Sequence, residues 1–146
     1  MKSVCLSILA LFIFTVTQAQ YHCTVQSFTG STVTFRTTGY GKKAAAAAAE
    51  AELNALRTLL FAGAPGTNYS TPLIAEGRQE AETKYADAFN ELYGSAYRDF
   101  IETSITVTAF GKDAEKRKCT TLDVCIRAQQ LRSWLERKGV IRRFGL

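Results

Sequence analysis

The sequence predicts an α+β fold: an antiparallel sheet of about four strands with helices packed on one face, in the order β-β-α-α-β-β-α. Two observations carry this reading. Hydrophobic periodicity along the chain switches from two residues to about 3.6, back to two, and then to 3.6 again. The strand-like segments come in adjacent pairs set apart from the helical ones, which is the arrangement of α+β domains.

Tyr21 to Phe28 reads as a short first strand, and Thr29-Gly30-Ser31 as the hairpin turn after it. In the second strand Val33, Phe35 and Thr37 alternate with Thr34, Arg36 and Thr38, so one face is buried. Gly39-Tyr40-Gly41 then reads as a turn, its glycines free to take backbone angles closed to other residues. From Lys42 onward alanine dominates, and alanine is the best helix former. The expected apolar stripe is Ala45, Ala49, Leu53, Leu56 and Leu60. Gly63, Pro65 and Gly66 end the helix. Gly63 to Gly77 is a loop by composition, and its Tyr69, Leu73 and Ile74 are expected to pack down. A loop this long is also a candidate contact surface.

Arg78 to Tyr93 reads as a second amphipathic helix, with Ala81, Tyr85, Ala88, Phe89 and Leu92 inward and Glu80, Glu82, Asp87 and Glu91 solvated. Tyr97 to Phe110 reads as a strand with Ile101, Ile105, Val107 and Ala109 on one face. The charged turn GKDAEKRK leads to a strand from Cys119 to Ala128, with Leu122, Val124 and Ile126 inward. Gln129 to Lys138 is the last helix, burying Leu131, Trp134 and Leu135. Gly139 suits a left-handed cap and Val140 the apolar contact that accompanies it. Ile141, Phe144 and Leu146 are expected to dock on the core or on a neighbour.

The first nineteen residues have the form of a signal peptide: Lys2, an apolar run from Val4 to Val16, and Thr17-Gln18-Ala19 before the cut. That run is too short to span a membrane. Residues 20–146 are then one exported domain, periplasmic, associated with the outer membrane, or extracellular. Cys23, Cys119 and Cys125 remain after cleavage, and export permits a disulfide. Cys119 and Cys125 lie too far apart on one strand to bond, so the expected pairing is Cys23 with Cys119 or Cys125.

Formal net charge is +5, unevenly placed: residues 44–111 hold nine acidic and four basic side chains, and 112–146 hold four acidic and ten basic. This asymmetry fits a basic patch for an anionic partner, or contact between copies of the chain; it also fits charges that only decorate exposed helix faces. The candidate anion- or partner-binding residues are Gly39, Tyr40, Gly41, Lys42 and Lys43, the turn Lys116, Arg117 and Lys118, and Arg142 with Arg143. Free N–H groups at a helix start beside two lysines would attract phosphate or carboxylate. The alternative is a tight turn with solvated lysines, since the spacing is not that of a phosphate-binding P-loop.

No catalytic constellation is visible. The one histidine, His22, lies near the cleavage site, no Cys-x-x-Cys or Gly-x-Ser-x-Gly occurs, and no nucleic-acid-reading motif is present. We therefore expect no enzymatic activity, no cofactor, no metal and no nucleic-acid partner.

The strand ending TTGYG, the following KKA with its run of small residues, and Leu53, Asn54, Ala55 and Leu60 together resemble a group of small bacterial envelope domains. These include the N-terminal domain of flagellar assembly protein T and related outer-membrane lipoproteins. The ending WLERKGVIRRFGL is similar to exported bacterial proteins with the same opening. The resemblance implies a structural or assembly role in a cell-envelope complex, through contacts with other envelope proteins or with copies of the chain. It carries no catalytic residues, and this chain lacks the lipobox of the lipoprotein members. The expected function is that of a non-catalytic assembly component; the alternative is a binding module for a phosphate-bearing lipid or an acidic glycan.

Overall fold

Four strands pair antiparallel in the order β1-β2-β4-β3, in a computed structural model that describes residues 23–143. The elements are β1 (Cys23–Phe28), β2 (Val33–Tyr40), α1 (Ala44–Phe61), α2 (Arg78–Lys84), α3 (Ala86–Gly94), β3 (Ile101–Lys112), β4 (Lys118–Ile126) and α4 (Ala128–Arg137). A 3-10 turn at Ala96–Phe100 takes the place of the expected start of β3. The α+β class and the strand pairs agree with the sequence. The leader, Tyr21, His22, Phe144 and Leu146 lie outside the described residues.

β2 and β4 form the middle of the sheet. Val33, Phe35 and Thr37 from β2, and Leu122, Val124 and Ile126 from β4, all point to the core and are buried. α1 lies across these two strands. Its Leu56, Leu59 and Leu60 are fully buried, and each contributes about 2 kcal/mol by removal from water. The opening half of α1 corrects the expected stripe. Ala47, Ala51 and Ala55 are buried, whereas Ala45 is exposed and Ala49 is only half-buried. A run of identical methyl groups carries no phase, so periodicity cannot tell which alanines face the sheet.

The phase comes from two glycines. Gly39 is not in a turn; it lies inside β2, and a Cβ there would meet the Ala47 carbonyl oxygen at 2.1 Å and the Ala51 nitrogen at 2.3 Å. A Cβ on Gly41 would meet the Ala47 nitrogen at 2.6 Å. Neither glycine has a positive φ. Their role is close approach of strand to helix, not unusual backbone angles. Asn54 completes the seam: it is buried, and its Nδ2 donates to the Thr38 carbonyl at 3.2 Å.

The expected second helix is two helices, broken at Tyr85, where φ is −115° and ψ is 40°. No glycine or proline marks the break. The apolar stripe survives it, with Ala81, Phe89 and Leu92 buried. α3 packs on α1 through the Phe61–Phe89 ring pair, 6.0 Å between centroids. The Gly63 to Gly77 loop does pack down. Tyr69 and Ile74 are buried, the Ile74 N–H donates to the Leu60 carbonyl, and the Tyr69 hydroxyl donates to the Gly30 carbonyl. α4 buries Leu131, Trp134 and Leu135. It ends in a Schellman cap: Gly139 has φ 71°, and the Val140 N–H donates to the Leu135 carbonyl at 3.0 Å.

β3 departs most from expectation. Its register against β4 shifts at Ile101/Thr103, Thr106/Thr108 and Thr108/Gly111. The first shift moves one residue's worth of alternation, which sends the side chains from Thr103 to Thr106 to the opposite face before the next shift. Ser104 therefore pairs with Val124 and reaches Glu52 of α1, while Ile105 pairs with Asp123 on the open face. Apart from half-buried Ile101, the whole strand is exposed.

Gly39→Ala is expected to lower the free energy of unfolding by about 3 kcal/mol, because backbone rather than a movable side chain occupies the space. Gly30→Ala, with nothing within 4 Å, is expected to change it by less than about 0.5 kcal/mol. Urea unfolding of both variants checks this; equal effects would mean that the strand and helix are not locked at Gly39.

Candidate functional site

Most of the candidate residues meet at one end of the sheet. β2 ends at Tyr40, which pairs with Cys119, and the Gly41 N–H donates to the Lys118 carbonyl at 3.1 Å. Lys112, the last residue of β3, stands directly opposite Lys118. The turn between β3 and β4 is closed by the Asp113 N–H donating to the Arg117 carbonyl at 2.9 Å, with Lys116 in a left-handed conformation at φ 62°. Register thus gathers Tyr40, Lys42, Lys43, Lys116, Arg117 and Lys118, and adds Lys112. The sequence reading omitted Lys112; its strand pairing, not its position in the sequence, places it there.

Arg117 is committed within this group. Its guanidinium lies 4.5 Å from the centre of the Tyr40 ring, bonds the Tyr40 hydroxyl at 3.1 Å, and pairs with Asp113 and Glu115 at 2.8 and 3.3 Å. Burial works to raise the Asp113 pKa, but the Arg117 backbone N–H and guanidinium together hold it below the usual carboxylate value. Burial pushes the Tyr40 hydroxyl up, against the pull of the Arg117 charge. The lysines differ: Lys42, Lys43, Lys112, Lys116 and Lys118 have no ion-pair partner among the described residues, and all five are exposed.

Three expectations for the site are corrected. Gly39 and Gly41 form no anion cradle, because the space left by their missing side chains is filled by the backbone of α1. Arg142 and Arg143 do not join the lysines. Arg142 lines a groove with Leu73, Tyr85 and Ile141, beside the loop that bonds the end of α1. That is the full length of an 18-residue helix, about 27 Å, from its start near Lys118. The disulfide does not form, and all three cysteines are free thiols. Cys23 pairs with Thr37 on the core side of the sheet, while Cys119 and Cys125 pair with Tyr40 and Thr34 on the open side. Two strand spacings and three residues of rise put Cys23 about 14 Å from either, beyond any disulfide.

Elsewhere several charged groups are tied to one another. On the open face Arg36 makes a two-bond pair with Asp123, 2.8 Å each, and the Thr38 and Thr121 hydroxyls bond at 2.8 Å. Glu82, expected to be solvated, accepts from Arg78 and from the Tyr93 hydroxyl at 2.6 Å, and Arg57 lies 4.9 Å over the Tyr93 ring. This half-buried network joins α1, α2 and α3. Among the described residues no group of three or more His, Cys, Asp or Glu side chains could hold a metal ion. No described helix is long and apolar enough to cross a membrane.

Several outcomes are expected from these observations. Burial pushes the Cys23 thiol up, so alkylation of Cys23 should lag behind Cys119 and Cys125. Reductant should leave the unfolding midpoint unchanged; a shift would contradict the free thiols. The Arg36 bond holds the Asp123 carboxyl below its usual range. A depressed carboxylate adds stability above its unfolded pKa and loses it as pH falls through the folded one, so this increment should fade below about pH 4. Asp123→Asn should remove it at neutral pH and flatten the acid limb of a pH-dependent unfolding series.

A scan against known protein families, and searches of characterised proteins and of solved structures, find no match to this chain.

Proposed function

We propose that this chain is a non-catalytic assembly component of a bacterial cell envelope, exported and acting through contacts with other proteins. The observation that carries the reading is the state of β3. A twelve-residue strand at the edge of the sheet leaves Ile105, Val107 and Phe110 exposed by 62%, 44% and 37%. Single exposed apolar residues are ordinary, but three within six positions of one strand form the kind of surface that a partner covers. The bulges in β3 interrupt its row of backbone groups, a common guard against indiscriminate strand addition. Contact is therefore assigned to the side chains of β3 rather than to its backbone ladder. Export rests on the leader-like residues 1–19, and the envelope setting on the resemblance of the TTGYG–KKA segment.

A second reading, binding of an anionic ligand, has support from one end only. The unpaired lysines near Tyr40 favour it, while Arg142 and Arg143 lie too far away to contribute.

Native mass measurement with envelope extract present and absent tests the first reading. The expected outcome is an oligomer or a captured partner, lost on replacing both Ile105 and Val107 with lysine. The same double variant should change unfolding free energy by less than about 0.5 kcal/mol, since neither side chain is in the core. A wild-type chain that stays monomeric and captures nothing overturns the proposal.

A further inference from the structure

We infer that the end of the sheet formed by Lys42, Lys43, Lys112, Lys116 and Lys118 around Tyr40 is a docking surface for an anionic lipid bilayer. The inference is independent of the β3 contact.

The first support is that these lysines stand where stability alone would not place them. Lys112 and Lys118 are directly opposed across an antiparallel pair, where like charges repel. Lys42 and Lys43 precede the first turn of α1, the end at which the helix dipole disfavours cations, and no acidic residue sits in that turn. Lys116 holds a positive φ that is unusual for a residue with a side chain. Local choices that oppose the fold concentrate at functional surfaces.

The second support is that the charge is uncompensated. The lysines elsewhere among the described residues, Lys84 and Lys138, pair with Glu76 and Glu91. At the Tyr40 end the two carboxylates of the β3–β4 turn, Asp113 and Glu115, are both taken by Arg117. Five exposed lysines with no ion-pair partner among the described residues therefore lie at one end of the sheet, three from the β3–β4 turn region and two from the start of α1.

The form of the surface selects the partner. Single soluble phosphates are held by concave sites with buried donors or by the planar fork of arginine. The one arginine here is turned inward on Tyr40 and Asp113. Lysines on flexible stems suit a diffuse layer of headgroup phosphates instead. Tyr40 and Phe110, 41% and 37% exposed, lie beside them, and aromatic rings of this kind favour the boundary between headgroups and acyl chains.

The test is co-sedimentation of the full chain with phosphatidylcholine vesicles, alone or with about 30% phosphatidylglycerol. The apolar leader is common to all variants, so its contribution appears on the neutral vesicles and cancels. The expected result is binding at least about tenfold tighter to the anionic vesicles, abolished by about 0.5 M salt. Replacing Lys42, Lys43, Lys112 and Lys118 with glutamate should remove that preference, while Arg142→Glu with Arg143→Glu should retain it. Circular dichroism and urea unfolding confirm that both variants fold; the salt dependence of the unaltered chain tests the idea without any variant. No preference for anionic vesicles, or equal loss in both variants, overturns the inference. Retention on an acidic polysaccharide column without vesicle binding, or displacement by millimolar inorganic phosphate at constant ionic strength, overturns it in favour of a soluble anion.

Discussion

The close approach of β2 to α1 at Gly39 and Gly41 is the constraint on which the other packing depends. With no Cβ at either position, the backbone of Ala47 and Ala51 sits directly against the strand. That contact sets the rotation of α1, and the rotation carries Leu56, Leu59 and Leu60 into the core one and a half turns later. It also brings Asn54 to the Thr38 carbonyl, just beyond the last pairing of β2 with β1 at Cys23–Thr37. A buried amide that finds its partner specifies one alignment, because leaving either group unpaired costs about 1–3 kcal/mol. The loop after α1 and the Phe61–Phe89 contact build on the position so set.

The sheet has two unlike faces for the same reason. The covered face is smooth at its alanine end and filled by leucines at the other. The open face is held by side-chain pairs across β2 and β4, among them Arg36 with Asp123 and Thr38 with Thr121. An exposed ion pair adds little on its own, about 0–1 kcal/mol, but a two-bond arginine–carboxylate pair fixes register. β3 touches α1 through Ser104 and Glu52 and is otherwise held chiefly by its ladder with β4, which leaves most of its side chains exposed.

Much of the fold was legible in local chemistry. Alternation marked β2 and β4, glycine and proline ended α1, and Gly139 with Val140 specified the last cap. Each of these signals lies within a few residues of its effect. The misreadings share one property, dependence on a distant partner. The break at Tyr85 has no local signal, and the face of β3 was inverted by a bulge that exists only in its pairing with β4. The disulfide failed because strand parity puts Cys23 on the face opposite Cys119 and Cys125. Of the candidate site, the lysines themselves were legible as a basic excess, but Lys112 was missed and Arg142 and Arg143 were wrongly grouped with them. Charge counts along a chain say nothing about which charges become neighbours.

The sequence by itself determined the α+β class, the pairing of strands within each hairpin and the core residues of β2, β4 and α4. These follow from periodicity and turn chemistry, which act over one or two turns of chain. Tertiary structure alone decided the sheet order, the phase of the alanine helix, the outward turn of Ile105 and the meeting of five lysines at one end. Those depend on register and close approach between segments far apart in the chain, as in the pairing of Val33 with Ile126, and no short-range pattern encodes them.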